Sequence, residues 1–129
     1  RPLPEGVDVD YPLRRPISVW FGGAADPVLR RAARIGDGRM PAGRPPDDRM
    51  KAYIDQLQGY LTAAGRDRTQ FGIDPWISMQ GLGKDEWRRR VEPWRALGAT
   101  HVAVDTMRAG LTSPKAHIDA IRSFREVLS

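Results

Sequence analysis

The sequence predicts an α/β fold of four consecutive parallel strand–helix units. Three observations carry that reading. Short β-branched or aromatic runs alternate with amphipathic stretches of helical period, four times over 129 residues. Glycines punctuate nearly every junction. Alternation of this kind demands parallel strands joined by right-handed crossovers. Four such units are half of an eight-unit TIM (β/α)8 barrel. They could also form a small open parallel sheet, with two unprotected edges and one uncovered face.

Residues 1–16 hold four prolines and read as an extended lead-in; residues 17–129 carry the four units. The first strand is expected over Ile17–Phe21, stopping at Gly22-Gly23. A helix follows with Asp26 as N-cap, Pro27 in the first helical position and Val28, Leu29, Ala32 and Ala33 on one face. Gly36 should close it as a C′ glycine. Asp37–Pro41 is a weak strand by composition but falls where the next strand is due. After the loop Ala42–Pro46, a second helix starts near Asp47, carries Met50, Tyr53, Ile54, Leu57, Tyr60 and Leu61, and ends at Ala64-Gly65.

A third strand is expected over Gln70–Met79, with Pro75 marking an edge position or a bulge. The third helix, Lys84–Leu97, carries Trp87, Val91 and Trp94, and Pro93 should bend or split it. Thr100–Asp105 is the fourth strand. Ser113-Pro114 caps a last helix that should bury Ile118, Ile121, Phe124 and Leu128.

Charge and composition restrict the function. The net charge is +5, but the basic residues are spread along the chain, and the Arg88-Arg89-Arg90 run has acidic neighbours. No nucleic-acid partner is expected. No apolar run approaches the roughly 18–20 residues of a membrane span, so no membrane association is expected either. There is no cysteine and no cluster of His, Asp and Glu with metal spacing. The absence of cysteine fits a cytoplasmic protein. The chain opens Arg1-Pro2-Leu3-Pro4 without Met, so a cleavage product or a fragment is expected.

Two loops could carry chemistry. Gly22-Gly23 precedes a helix whose N-terminal amides and dipole favour an anion, phosphate above all. A plain tight turn is the alternative, and the Asp26 carboxylate would compete for the same amides. Met40-Pro41-Ala42-Gly43 lies at the end of the next strand, with Arg39 and Arg44 beside it as added charge or as solvated side chains. In a barrel both loops would lie on the face where active sites are built. Asp74 and Asp105 are acid–base candidates by location, although Asp105 could equally bond the amides of its own loop. His101, at the start of a strand, reads as structural. His117 reads as a surface or capping residue, and Trp20, Trp76, Trp87 and Trp94 as packing residues.

The stretch from Arg15 to Gly23, with Leu29-Arg30-Arg31-Ala32-Ala33-Arg34-Ile35-Gly36-Asp37-Gly38 after it, resembles the luciferase-like monooxygenases. It is most similar to their deazaflavin-dependent branch. The Ala64-Gly65-Arg66-Asp67 turn and Leu97-Gly98-Ala99-Thr100-His101 match as well. The resemblance runs from about residue 15 to 128 and covers the C-terminal half of the family's (β/α)8 barrel. It implies an oxidoreductase acting by monooxygenation or hydride transfer on a small organic substrate, with FMN or the deazaflavin coenzyme F-420. It implies Gly22, Gly23, Ala24, Met40, Pro41, Ala42 and Gly43 as contacts of the cofactor phosphate. It leaves the catalytic residues unknown, and this piece alone is expected to be inactive. A homo-oligomer, or pairing with a missing N-terminal half, is the expected assembly. Ala24 and Ala25 stand where family members often carry a polar residue, and Arg39 stands where they often carry Trp.

Overall fold

In the computed structural model, residues 17–41 and 45–129 are described. The lead-in 1–16 and three residues of the second loop, Ala42, Gly43 and Arg44, lie outside them. The elements run β1 Trp20–Phe21, α1 Asp26–Ile35, β2 Gly38–Arg39, α2 Asp48–Ala63, a 3₁₀ turn at Arg68–Gln70, β3 Gly72–Ile73, β4 Trp76–Ser78, α3 Lys84–Ala96, β5 Ala103–Asp105 and α4 Pro114–Leu128. Every strand pairing is parallel. β1, β2 and β3 pair in that order, with Trp20 opposite Gly38 and Gly38 opposite Gly72; β4 pairs with β5. The fold is α/β with parallel strands.

The expected third strand is divided. β3 pairs back to β2 and β4 pairs forward to β5, with Asp74-Pro75 between them. Pro75 is fully buried with bonded neighbours on both sides, so of the two expectations, an edge position or a bulge, the edge position does not hold. The reason lies in which way the backbone groups point. The amides of Asp74 and Trp76 donate to Arg39 and Pro41 on the β2 side. The Ile73 amide and the Pro75 ring nitrogen face the segment that leads into β5, where the Ile73 amide donates to Thr100 Oγ1 at 2.9 Å. The Pro75 carbonyl still accepts from Ala103. Proline therefore forfeits one bond on one side only, and the ladder to β5 breaks there.

All four helices pack on one face of the sheet. Leu29, Ala32 and Ala33 of α1 meet Leu57 and Leu61 of α2 over Phe71, with Phe21 packed against them. Ile54 of α2 joins Trp87, Val91 and Trp94 of α3 and Phe124 of α4 over Ile73, Ile77 and Met79. The alternation along a strand sends Trp20, Gly38, Gly72 and Trp76 to the other face. Among the described residues that face carries no helix. Trp76, expected to pack in the core or against a helix, is 48% exposed there, and Met40 is 46% exposed.

Several junctions differ from expectation. Asp26 is the first residue of α1 rather than its cap; Ala25 is the N-cap and makes no side-chain bond. Asp26 instead bonds Arg30, Gln56 and the Tyr60 hydroxyl, which ties α1 to α2. Gly36 ends α1 at an ordinary φ of −87°, not in the left-handed region. Glycine is needed there for space, since a β-carbon would lie 2.8 Å from the Ala32 carbonyl oxygen and 2.9 Å from the Phe21 ring. β1 is shorter than Ile17–Phe21. β5 begins at Ala103, because Thr100 and His101 turn their amides to the Ile73 carbonyl. α3 runs through Pro93 as one helix.

Ser113 caps α4 as the sequence implied, accepting from the Ala116 amide; Asp47, near which the second helix was expected to start, caps α2 by accepting from the Met50 amide. On α4, Phe124 is buried, but Ile118 is 55% and Ile121 46% exposed, contrary to expectation. No described helix is long and apolar enough to cross a membrane.

Candidate cofactor-phosphate site

The two candidate loops start side by side. Phe21 is in register with Arg39, and the Met40 amide donates to the Phe21 carbonyl at 2.9 Å. This brings Gly22 next to Met40 at the C-terminal ends of β1 and β2. Ala24 is half-buried and Pro41 buried, while Ala42 and Gly43 lie outside the described residues. Gly23 has φ of +87°, which a side chain rarely tolerates. A β-carbon on Gly22 would meet nothing within 4 Å, so the space above that residue is open.

The amides at the head of α1 are only partly available. Pro27 has none, and those of Val28 and Leu29 are bonded to the Ala25 carbonyl. The Asp26 carboxylate, however, is not the competitor the sequence suggested. Its bond to Arg30 first, and that to Tyr60 second, hold its pKa below the ordinary 3.8.

Arg39 is the surprise of the site. It is only 3% exposed, on the helix-covered face of the sheet, not solvated. Its Nε and Nη1 are buried without a hydrogen-bond partner. Burial pulls its pKa down, and the charge interaction that opposes this comes from Tyr53. The Tyr53 hydroxyl in turn accepts from Arg49 Nε at 3.0 Å. Sequence reasoning missed this cluster. Two signals for it were present: the alternation that puts Arg39 on the same face as Phe21, and the i, i+4 spacing of Arg49 and Tyr53.

The other candidates are scattered. Asp105 Oδ1 accepts from the Met107 amide at 2.8 Å, the loop-bonding role considered for it. Asp74 Oδ1 is buried with no partner. His101 meets the Trp20 ring edge-on, with centroids 5.3 Å apart. His117 Nδ1 is 2.7 Å from Thr106 Oγ1. No group of three metal-ligating side chains occurs among the described residues. Cavities of about 340 and 360 Å³ open at the opposite end of the strands, around Leu61, Phe71 and Gly98 and around Trp20, Gly72 and His101. Neither includes Gly22, Gly23 or Met40.

The sequence profile of the luciferase-like monooxygenases matches residues 1–80, which include both candidate loops. The chain belongs to this family. Among solved structures, the luciferase-like chain is similar to EDTA monooxygenase (EmoA) from Chelativorans sp. BNC1, at 19% identity and a TM-score of 0.44. That match covers 90% of this chain and 30% of the other, so the chain spans under a third of that protein's length. No curated protein matches it.

Proposed function

We propose that this chain is the C-terminal half-barrel of a luciferase-like oxidoreductase and contributes the loops that hold the phosphate of a flavin-type cofactor. Family membership carries the reading. The consecutive parallel strand order, with the described helices packed on one face, supports the half-barrel.

The residues present fit a phosphate. Gly22 leaves open space, Gly23 turns the chain in a conformation suited to glycine, and Arg39, whose buried Nε and Nη1 have no partner, is in register with Phe21, one residue before Gly22. Gly22, Gly23 and Ala24 would line one side, and Met40, Pro41, Ala42 and Gly43 the other. FMN or the deazaflavin coenzyme F-420 would supply the redox chemistry when bound, monooxygenation or hydride transfer on a small organic substrate. The chain's own part is to fix the phosphate end. The catalytic groups would lie largely in the other half, which leaves this piece inactive alone.

Titration of the chain with FMN and with the deazaflavin, followed by fluorescence, tests the reading. Saturable binding of one of them, weakened by Gly23→Ala, is expected. Binding of neither would refute a self-sufficient phosphate cradle.

A second reading concerns assembly, and one observation favours it. Apolar side chains are exposed at both flanks of the sheet: Ile17 and Val19 beside β1, and Ile118 and Ile121 on α4. A half-barrel that closes against a second copy, or against an N-terminal half, would cover both flanks and both strand edges.

A further inference from the structure

We propose that the cavity between α2 and the turn that closes α3 binds a small carboxylate with an apolar body. It lies at the end of the strands away from Gly22 and Met40, and it does not rest on the cofactor reading.

The cavity follows from how the core is divided. Leu57 and Leu61 of α2 pack with α1 over Phe71, whereas Ile73 packs with α3 and α4. The two clusters meet at Phe71 and Ile73, and about 340 Å³ stays open over that seam. On its far side stands Gly98, which turns the chain out of α3 at φ of +89°. A β-carbon there would meet nothing within 4 Å, so glycine leaves that side unfilled. The Thr100 hydroxyl is held in place, accepting from the Ile73 amide at 2.9 Å and standing 2.8 Å from His101 Nδ1. Leu57, Leu61, Phe71 and Ile73 give the cavity a wall of buried apolar side chains. A space of this size with apolar walls and few polar groups has the form of a small-molecule site.

Arg68 supplies the polar end. It lies in the 3₁₀ turn that borders the cavity and is exposed to solvent. Its Nη1 donates to Gln58 Oε1 at 3.2 Å, a neutral acceptor at long range. Asp67 is its neighbour in sequence but is engaged elsewhere, accepting from the amide and the hydroxyl of Thr69. Among the described residues no carboxylate pairs with Arg68. Most of its donors are therefore left for a ligand. Arg68 is also the one charged residue among the described residues that line the cavity. One guanidinium fork above an apolar wall matches a carboxylate, whose two oxygens take a bidentate pair, with a hydrocarbon body below it. A phosphate would leave its second charge unmet.

The test titrates the chain with octanoate. Octanol serves as the same body without the charge, and acetate as the head without the body. The methyl resonances of Leu57, Leu61, Ile73 and Thr100 are followed by NMR. Octanoate is expected to shift them saturably, octanol several-fold more weakly, and acetate not at all. Arg68→Gln should weaken octanoate about tenfold, as loss of a charge-assisted hydrogen bond does, and leave octanol unchanged. Arg68→Lys keeps the charge but not the fork and should fall between. Arg68 is exposed, so neither variant endangers the fold.

No saturable shift with octanoate would overturn the site. Equal octanoate affinity in wild type and Arg68→Gln would do so too, as would shifts confined to Trp20 and Trp76 on the sheet face opposite the helices. Octanoate binding here without binding of FMN or the deazaflavin would leave this site standing and count only against the cofactor reading. Cofactor binding with no octanoate response would sink this site alone.

Discussion

The indole of Trp20 lies where a β-carbon on Gly72 would have to be. It crosses Gly38 on the way, so one ring covers a glycine on each of the two strands that follow β1. The row Trp20, Gly38, Gly72 is a register of one large and two absent side chains. It explains why these strands, with so little β-propensity, still pair in one alignment: a slip by one residue would drive the ring into a side chain.

Adding a methyl group at either glycine should therefore be destabilising. Gly38→Ala and Gly72→Ala are each expected to cost about 1–3 kcal/mol, as overpacking does. Trp20→Leu in the same chain should recover part of the loss. Urea denaturation of the singles and doubles gives the coupling. Additive losses would mean that the ring is not the obstacle.

Gly22 and Gly23 should separate cleanly. Gly23→Ala places a side chain at φ of +87° and should cost roughly 1–2 kcal/mol. Gly22→Ala meets nothing within 4 Å and should stay within about 0.5 kcal/mol. Thermal melts decide it. If Gly22→Ala is nonetheless the variant that abolishes cofactor binding, close approach to a ligand is the role of that glycine.

Helices were easier to read from the sequence than strands, for a physical reason. A helix writes its own period and caps into contiguous residues: α2 starts beside Asp47 and Ser113 caps α4, both as expected. The strands here are two or three residues long and owe their alignment to partners elsewhere. Pro75 read as an edge or a bulge because its interior place depends on a partner far along the chain: Ala103 donates to its carbonyl, and no amide is needed from it on that side. Asp26 looked like a cap because Tyr60, its partner, is 34 residues away. The candidate loops were legible as loops, and their adjacency followed from consecutive strands. The burial of Arg39 was not legible, since a lone arginine beside a proline-rich loop reads as solvated. Ile118 and Ile121 show the same limit: periodicity marks an apolar stripe but does not say whether anything covers it.

Acid should expose the Asp26 cluster. Its folded pKa is lowered by the bond to Arg30 and then by that to Tyr60. A depressed folded pKa means a contribution present above the unfolded value, here 3.8, and lost as pH falls through the folded one. The stability difference between wild type and Asp26→Asn should thus be constant at neutral pH and shrink below about pH 3.8. Asp67, also lowered, by its bonds to Thr69, remains in both proteins and cancels. Melting curves from pH 2 to 7 measure this. A difference that stays constant down to pH 2 would show that Asp26 gains nothing from its partners when ionised.

The exposed flanks give the last prediction. Ile118 and Ile121 lie one turn apart on α4, the helix that follows β5, and among the described residues β5 pairs on one side only. Ile17 and Val19 precede β1, which among the described residues pairs on one side only. Strand edges with apolar residues alongside invite pairing, and closure is what removes an edge. The isolated chain should therefore associate, with a weight-average mass that rises with concentration in sedimentation velocity. Ile118→Glu with Ile121→Glu should return it to monomer. Its melting temperature at high dilution should barely change, because neither side chain is buried in the monomer. A wild-type chain that stays monomeric at high concentration would show that these flanks do not drive association by themselves.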